Sequence, residues 1–146
     1  MNNMFAESYE LETIPFQLNG VANYTSTISE LFSNCYRLRT LPENLFNITL
    51  STRMNDLKYT STTNMFNACY SLRNIPDLSF LGGFKNLQLG GYYHNFYYST
   101  FTNCYVLDEI VNLPVIYSPG TNQNYFYSTF SGCGRLKRLT FGTVYN

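Results

Sequence analysis

Five times in 146 residues the chain writes the same short phrase: a Phe, then a Cys or Ser three positions on, a Leu three further, and an Ile or Leu three further again. The five phenylalanines are Phe5, Phe32, Phe66, Phe101 and Phe130, set 27, 34, 35 and 29 residues apart. In the same register stand Ser8, Cys35, Cys69, Cys104 and Cys133; Leu11, Leu38, Leu72, Leu107 and Leu136; and Ile14, Leu41, Ile75, Ile110 and Leu139. Proline follows directly in three of the five motifs, as Pro15, Pro42 and Pro76. A period in the range of about 20 to 50 residues is the signature of stacked supersecondary units. One such unit cannot bury its apolar side alone, but a stack of them makes a continuous core.

The spacing sets expectations for local structure. Phe, Cys and Leu at i, i+3 and i+6 predict one face of a short helical or 3-10 turn. Ser29, Thr62, Thr63, Ser99, Thr100, Ser128 and Thr129 precede the phenylalanines, where hydroxyls can cap free turn amides. The [IL]-P step predicts a short extended segment ended by Pro, building a short-stranded parallel sheet when stacked on its copies. Three stretches between motifs (residues 47–66, 80–101 and 122–130) are rich in Tyr, Thr and Phe, which predicts extra strands or hairpins there.

Composition removes several classes of function. Lys plus Arg is 9 and Asp plus Glu is 9, so the net charge is zero. A phosphate-backbone binder needs a basic excess, and no nucleic-acid partner is expected. No apolar run reaches the roughly 18 residues of a membrane span. The opening "MNNMFAESYE" has neither the basic nor the apolar region of a secretory signal peptide. That predicts a cytoplasmic protein, a virion component, or a segment of a larger secreted one. Catalysis is not expected. The chain has one His, His94, and lacks a nucleophile elbow and a phosphate-binding loop; Gly82-Gly83 and Gly90-Gly91 read as turns. No cofactor or metal is expected either. The cysteines lie 34, 35 and 29 residues apart, not in the close pairs of a zinc site. They read instead as a ladder of small buried hydrophobes.

Aromatic residues make up 18% of the chain, and they supply the candidate binding surfaces. The first is a cluster of Tyr92, Tyr93, Phe96, Tyr97 and Tyr98, joined one unit later by Tyr125, Phe126 and Tyr127. Tyr97 aligns with Phe126 and Tyr98 with Tyr127, so adjacent units would set them side by side. Alternate members must face inward, and exposed aromatic clusters mark recognition surfaces. The second is a ladder, Tyr9, Tyr36, Tyr70 and Tyr105, one position after the Ser/Cys column and off the buried face.

Charges fall into columns as well. Glu12, Arg39, Arg73, Asp108 and Lys137 share one, with Glu109 and Arg138 in the next. Opposite signs are expected to meet between units one and two, three and four, and four and five. The first unit is acidic (Glu7, Glu10, Glu12) and the last basic (Arg135, Lys137, Arg138). That asymmetry predicts head-to-tail self-association or continuation into a longer protein.

The motif resembles the BspA-like leucine-rich repeats of bacterial surface proteins. "YTSTTNMFNACYSLRNIP" (59–76) and "YTSTISELFSNCYRLRTLP" (24–42) carry the likeness most fully. The resemblance implies an α/β repeat: a leucine-rich-repeat-like solenoid of about five coils, forming one domain over residues 1–146. It also implies a non-catalytic recognition module, binding a protein or glycan at a bacterial or phage surface. Two other readings fit the same sequence: a structural subunit of a larger assembly such as a virion, and a phage-encoded intracellular inhibitor or adaptor that holds a host protein.

Overall fold

The computed structural model describes residues 2–22, 28–50, 62–79, 97–116 and 126–145. These contain all five motifs. No helix forms over the Phe-x-x-Cys-x-x-Leu segments. Each is a run of β-turns in which the amide of residue i+3 donates to the carbonyl of residue i, as in Cys35 to Phe32 (3.1 Å) and Leu38 to Cys35 (3.2 Å). The spacing that predicted a helical face is therefore the spacing of successive turns.

The backbone explains why the helix fails. In every motif the residues two before and two after the Phe have positive φ: Asn3 and Glu7, Glu30 and Asn34, Asn64 and Ala68, Ser99 and Asn103, Ser128 and Gly132. A left-handed residue at the third position of a turn gives the type II geometry, and its recurrence breaks any right-handed helix. It also turns alternate amides outward along the stack. The amide two before the Phe, that of the Phe, and that two after it each donate to a carbonyl of the following motif. Phe5 donates to Leu31 (3.0 Å), Phe32 to Met65 (2.9 Å), Phe66 to Thr100 (2.9 Å) and Phe101 to Thr129 (3.0 Å). The flanking bonds repeat the pattern at all four junctions, from Asn3 to Ser29 through to Asn103 to Ser131. Every bond of this ladder runs forward, from the earlier motif to the later one.

With the turn amides engaged in this way, the expected hydroxyl caps do not form at Thr100 and Thr129. Their hydroxyls donate to preceding segments instead, Thr100 to the Thr62 carbonyl (2.9 Å) and Thr129 to the Tyr97 carbonyl (2.6 Å). Both threonines are buried, so these bonds satisfy groups that water cannot reach.

The side chains stack in columns. The five phenylalanine rings lie nearly parallel, with centroids 5.3, 5.5, 5.6 and 6.0 Å apart. Phe32, Phe66 and Phe101 are fully buried, while Phe5 and Phe130 at the two ends are only partly so. The four cysteines are free thiols, and each donates backward to the Phe carbonyl of the preceding motif at 3.0–3.2 Å. Burial is the main cause of their raised pKa values: Cys35 is pushed up to about 11, and Cys69, Cys104 and Cys133 are also raised.

Strands follow the motifs, and all pairing between them is parallel. β1 (Leu18–Ala22) pairs with β2 (Phe46–Leu50), and β3 (Glu109–Ile116) with β4 (Arg138–Tyr145). In the first two motifs only an isolated bridge, Thr13 to Thr40, precedes Pro15 and Pro42, and the strands begin after the prolines. Where Val111 and Thr140 replace proline, β3 and β4 run straight through. Proline brings no amide to a ladder, and the one proline inside these strands, Pro114 of β3, falls where the register shifts between Leu113 and Val115. The β3–β4 register shifts on either side of Leu113, next to Asn112 with φ 58°. Gly142 meets this bulge, since a Cβ there would lie 2.8 Å from the Asn112 carbonyl oxygen. Of the stretches expected to form extra strands, residues 47–50 lie in β2, whereas 63–66, 97–101 and 126–130 form motif turns instead, where amides such as those of Met65, Phe66, Phe101 and Thr129 are taken up by the turn or the stack; 51–61, 80–96 and 122–125 fall outside the described residues.

Candidate recognition surface

In four of the five motifs a tyrosine follows the Ser/Cys position and stays outside the buried core. Tyr9, Tyr36, Tyr70 and Tyr105 form a second aromatic stack. Their ring centroids lie 5.0, 4.8 and 4.9 Å apart, with interplanar angles of 19, 3 and 13°. Tyr9, Tyr36 and Tyr105 are 46, 36 and 47% exposed, and Tyr70 between them is partly exposed. Gly134 holds this position in the fifth motif, so the ladder spans four units. Desolvation within the stack raises the Tyr9 and Tyr70 phenols, aided at Tyr9 by the Glu7 carboxylate and at Tyr70 by its tyrosine neighbours. Both hydroxyls stay neutral at physiological pH and can donate as well as accept.

The other candidate cluster divides. Tyr92, Tyr93, Phe96 and Tyr125, with His94, lie outside the described residues. Tyr98 stacks on Tyr127 at 5.0 Å, and Tyr127 is exposed. Tyr97 does not belong to a surface. It is fully buried, stacks on Phe126 at 5.4 Å, and its hydroxyl donates to the Pro114 carbonyl at 2.6 Å. A backbone acceptor brought over by β3 lets this polar aromatic enter the core. Phe126 is partly exposed and packs edge-on against Phe141 at 5.7 Å.

Ion pairs join neighbouring motifs. Arg37 reaches both Glu10 and Glu12 at 2.5 Å, and Arg39 lies 3.9 Å from Glu12. Asp108 faces Arg135 at 3.4 Å and Lys137 at 3.7 Å, and Arg138 binds Glu109. The charge columns thus pair between units one and two and between four and five. Among the described residues Arg73 makes no ion pair with Asp108, contrary to expectation. Among the described residues a groove of about 530 Å³ lies at that junction, lined by Arg73, Asn74 and Asp77 on one side and Glu109 and Asn112 on the other. Arg37 stands in register with Glu10 but outside the charge columns read from the sequence, and it also reaches Glu12 two positions further on. No helix among the described residues is long and apolar enough to cross a membrane.

Comparison of the chain with protein-family models, with curated proteins and with solved structures finds no match.

Proposed function

We propose that this chain is a non-catalytic recognition module, a short leucine-rich-repeat-like solenoid of the BspA-like kind. Its stacked tyrosine face binds a protein or glycan at a bacterial or phage surface. One observation carries the reading: four tyrosines from four different motifs form an unbroken, partly exposed aromatic ribbon. Such a ribbon offers rigid apolar area with little rotamer entropy to lose, and hydroxyls that tolerate water when unoccupied. The sugar rings of a glycan or the apolar side chains of a protein suit that chemistry. Flanking pairs such as Arg37 with Glu10 and Glu12 supply the polar rim.

The test is a glycan array of bacterial surface polysaccharides, read with wild type and with the Tyr36→Ser/Tyr70→Ser variant. Central aromatic anchors carry most of the energy in such contacts, so the variant should lose about tenfold or more in affinity while keeping its fold. Equal binding by both proteins would remove the ladder as the site. The alternative, a structural subunit of a larger assembly, is favoured by a separate observation: among the described residues the first and last motifs of the stack carry unlike groups, acidic at the first and basic at the last.

A further inference from the structure

The forward-running ladder leaves a different set of groups unused at each end. The amides of Ser128, Phe130 and Gly132 occupy the three donor positions of the fifth motif, and among the described residues they have no acceptor. The carbonyls of Asn2, Met4 and Ala6 occupy the three acceptor positions of the first motif, and among the described residues no donor reaches them. A row of unpaired backbone groups at an edge is a template for another chain. The cysteine column runs the other way and is interrupted consistently: the Phe130 carbonyl receives no thiol, and Ser8 stands where the others have cysteine. Exposed apolar side chains gather at the same two ends. Met4 and Phe16 are each 53% exposed at the first, and Phe126 and Phe141 are 38 and 51% exposed at the last.

Charge reinforces this polarity. The end with free amides carries Arg135, Lys137 and Arg138, and the end with free carbonyls carries Glu7, Glu10 and Glu12. Arg135 occupies the motif position of Glu10, and Lys137 that of Glu12. In-register pairs of this kind already join units inside the chain, Glu10 with Arg37 and Asp108 with Lys137.

We propose that the two ends are complementary docking surfaces for a second copy of this chain, which stacks head to tail as though it were the next motif. Ser128, Phe130 and Gly132 of one copy donate to the Asn2, Met4 and Ala6 carbonyls of the next. The Phe5 ring covers the Phe130 ring, and the Ser8 hydroxyl donates to the Phe130 carbonyl in place of a thiol. The contact is heterologous, so each added copy presents the same open ends and the product is an open filament. This goes beyond the tyrosine surface and does not depend on it.

Sedimentation velocity across protein concentration and ionic strength tests it, with two charge-swapped variants, Glu10→Lys/Glu12→Lys and Arg135→Glu/Lys137→Glu. Far-UV circular dichroism establishes that each variant is folded. Wild type should grow in mass with concentration past the dimer and return to monomer at high salt. Each variant alone has like-charged ends and should stay monomeric, while an equal mixture should assemble again. Wild type that stays monomeric at high concentration and low salt would overturn the proposal. So would assembly that halts at a closed dimer, or variants that assemble alone as wild type does. Tyr36→Ser/Tyr70→Ser should assemble normally, which separates failure here from failure of the glycan-binding reading.

Discussion

At the scale of the residue, the backbone sign of φ does most of the work. Asn34 sits at φ 61°, where Gly and Asn are tolerated and a β-branched side chain is not. Asn34→Gly should therefore be near neutral, whereas Asn34→Val should lose about 2 kcal/mol in denaturant unfolding. Little of this was legible. Glu7, Glu30 and Ala68 hold the same conformation as Asn34 and Gly132, so residue type did not announce it. The cysteine column was legible as a buried ladder; its thiol-to-carbonyl bonds were not, because the acceptor is backbone. The ladder also makes stability depend on pH. Burial raises the folded thiols, so an unfolded thiol, with its ordinary value of 9.0, ionises first and Cys35 holds its proton to about 11. The unfolded state then binds fewer protons, and stability falls as pH rises above about 9. The fully buried Cys69 and Cys104, also raised chiefly by burial, add to the same loss. Urea midpoints that stay level from about pH 8 to about pH 10.5 would contradict this.

At the scale of the element, the motif segment and its strand behave as separate devices. Phe66 lies between Phe32 and Phe101 with centroids 5.5 and 5.6 Å away, so Phe66→Ala opens a cavity in the middle of the stack. It should cost about 3–5 kcal/mol, well above the cost of the exposed Tyr36→Ser change, as measured by thermal unfolding. Gly142→Ala should cost about 1–3 kcal/mol, because its Cβ would press on the Asn112 carbonyl and push β4 off β3. The extended segment was legible from the Ile and Leu of each motif, and proline's disruptive effect from its missing amide. The starts of β1 and β2 beyond the prolines were not, nor was the Asn112 bulge, since both depend on how neighbouring strands meet. Asn74 shows the same limit. Its side-chain amide donates to the Leu41 carbonyl at 2.9 Å and stands in for strand pairing in the third motif, which has no strand between residues 72 and 78.

At the scale of the whole molecule, a net charge of zero hides a separation of charge from one end to the other. The repeat made that separation legible by putting Glu10, Glu12, Arg135 and Lys137 in numbered columns. What the sequence could not reveal was that the backbone is polar in the same sense, because the one-way ladder exists only once the left-handed residues turn the amides outward. The tyrosine ladder was legible for a similar reason, as one column with one orientation. The Tyr92–Tyr98 cluster was not separable into core and surface, since burial of Tyr97 depends on a carbonyl 17 residues later. The most direct test is amide hydrogen exchange resolved by residue, at low and at high protein concentration. In the dilute chain the amides of Phe32, Phe66 and Phe101 should be protected, and those of Ser128, Phe130 and Gly132 should exchange fast. Raising the concentration should slow those last three as a second copy covers them. If the three are protected in the dilute chain as well as Phe101 is, the ladder does not end in an open row and the account is wrong.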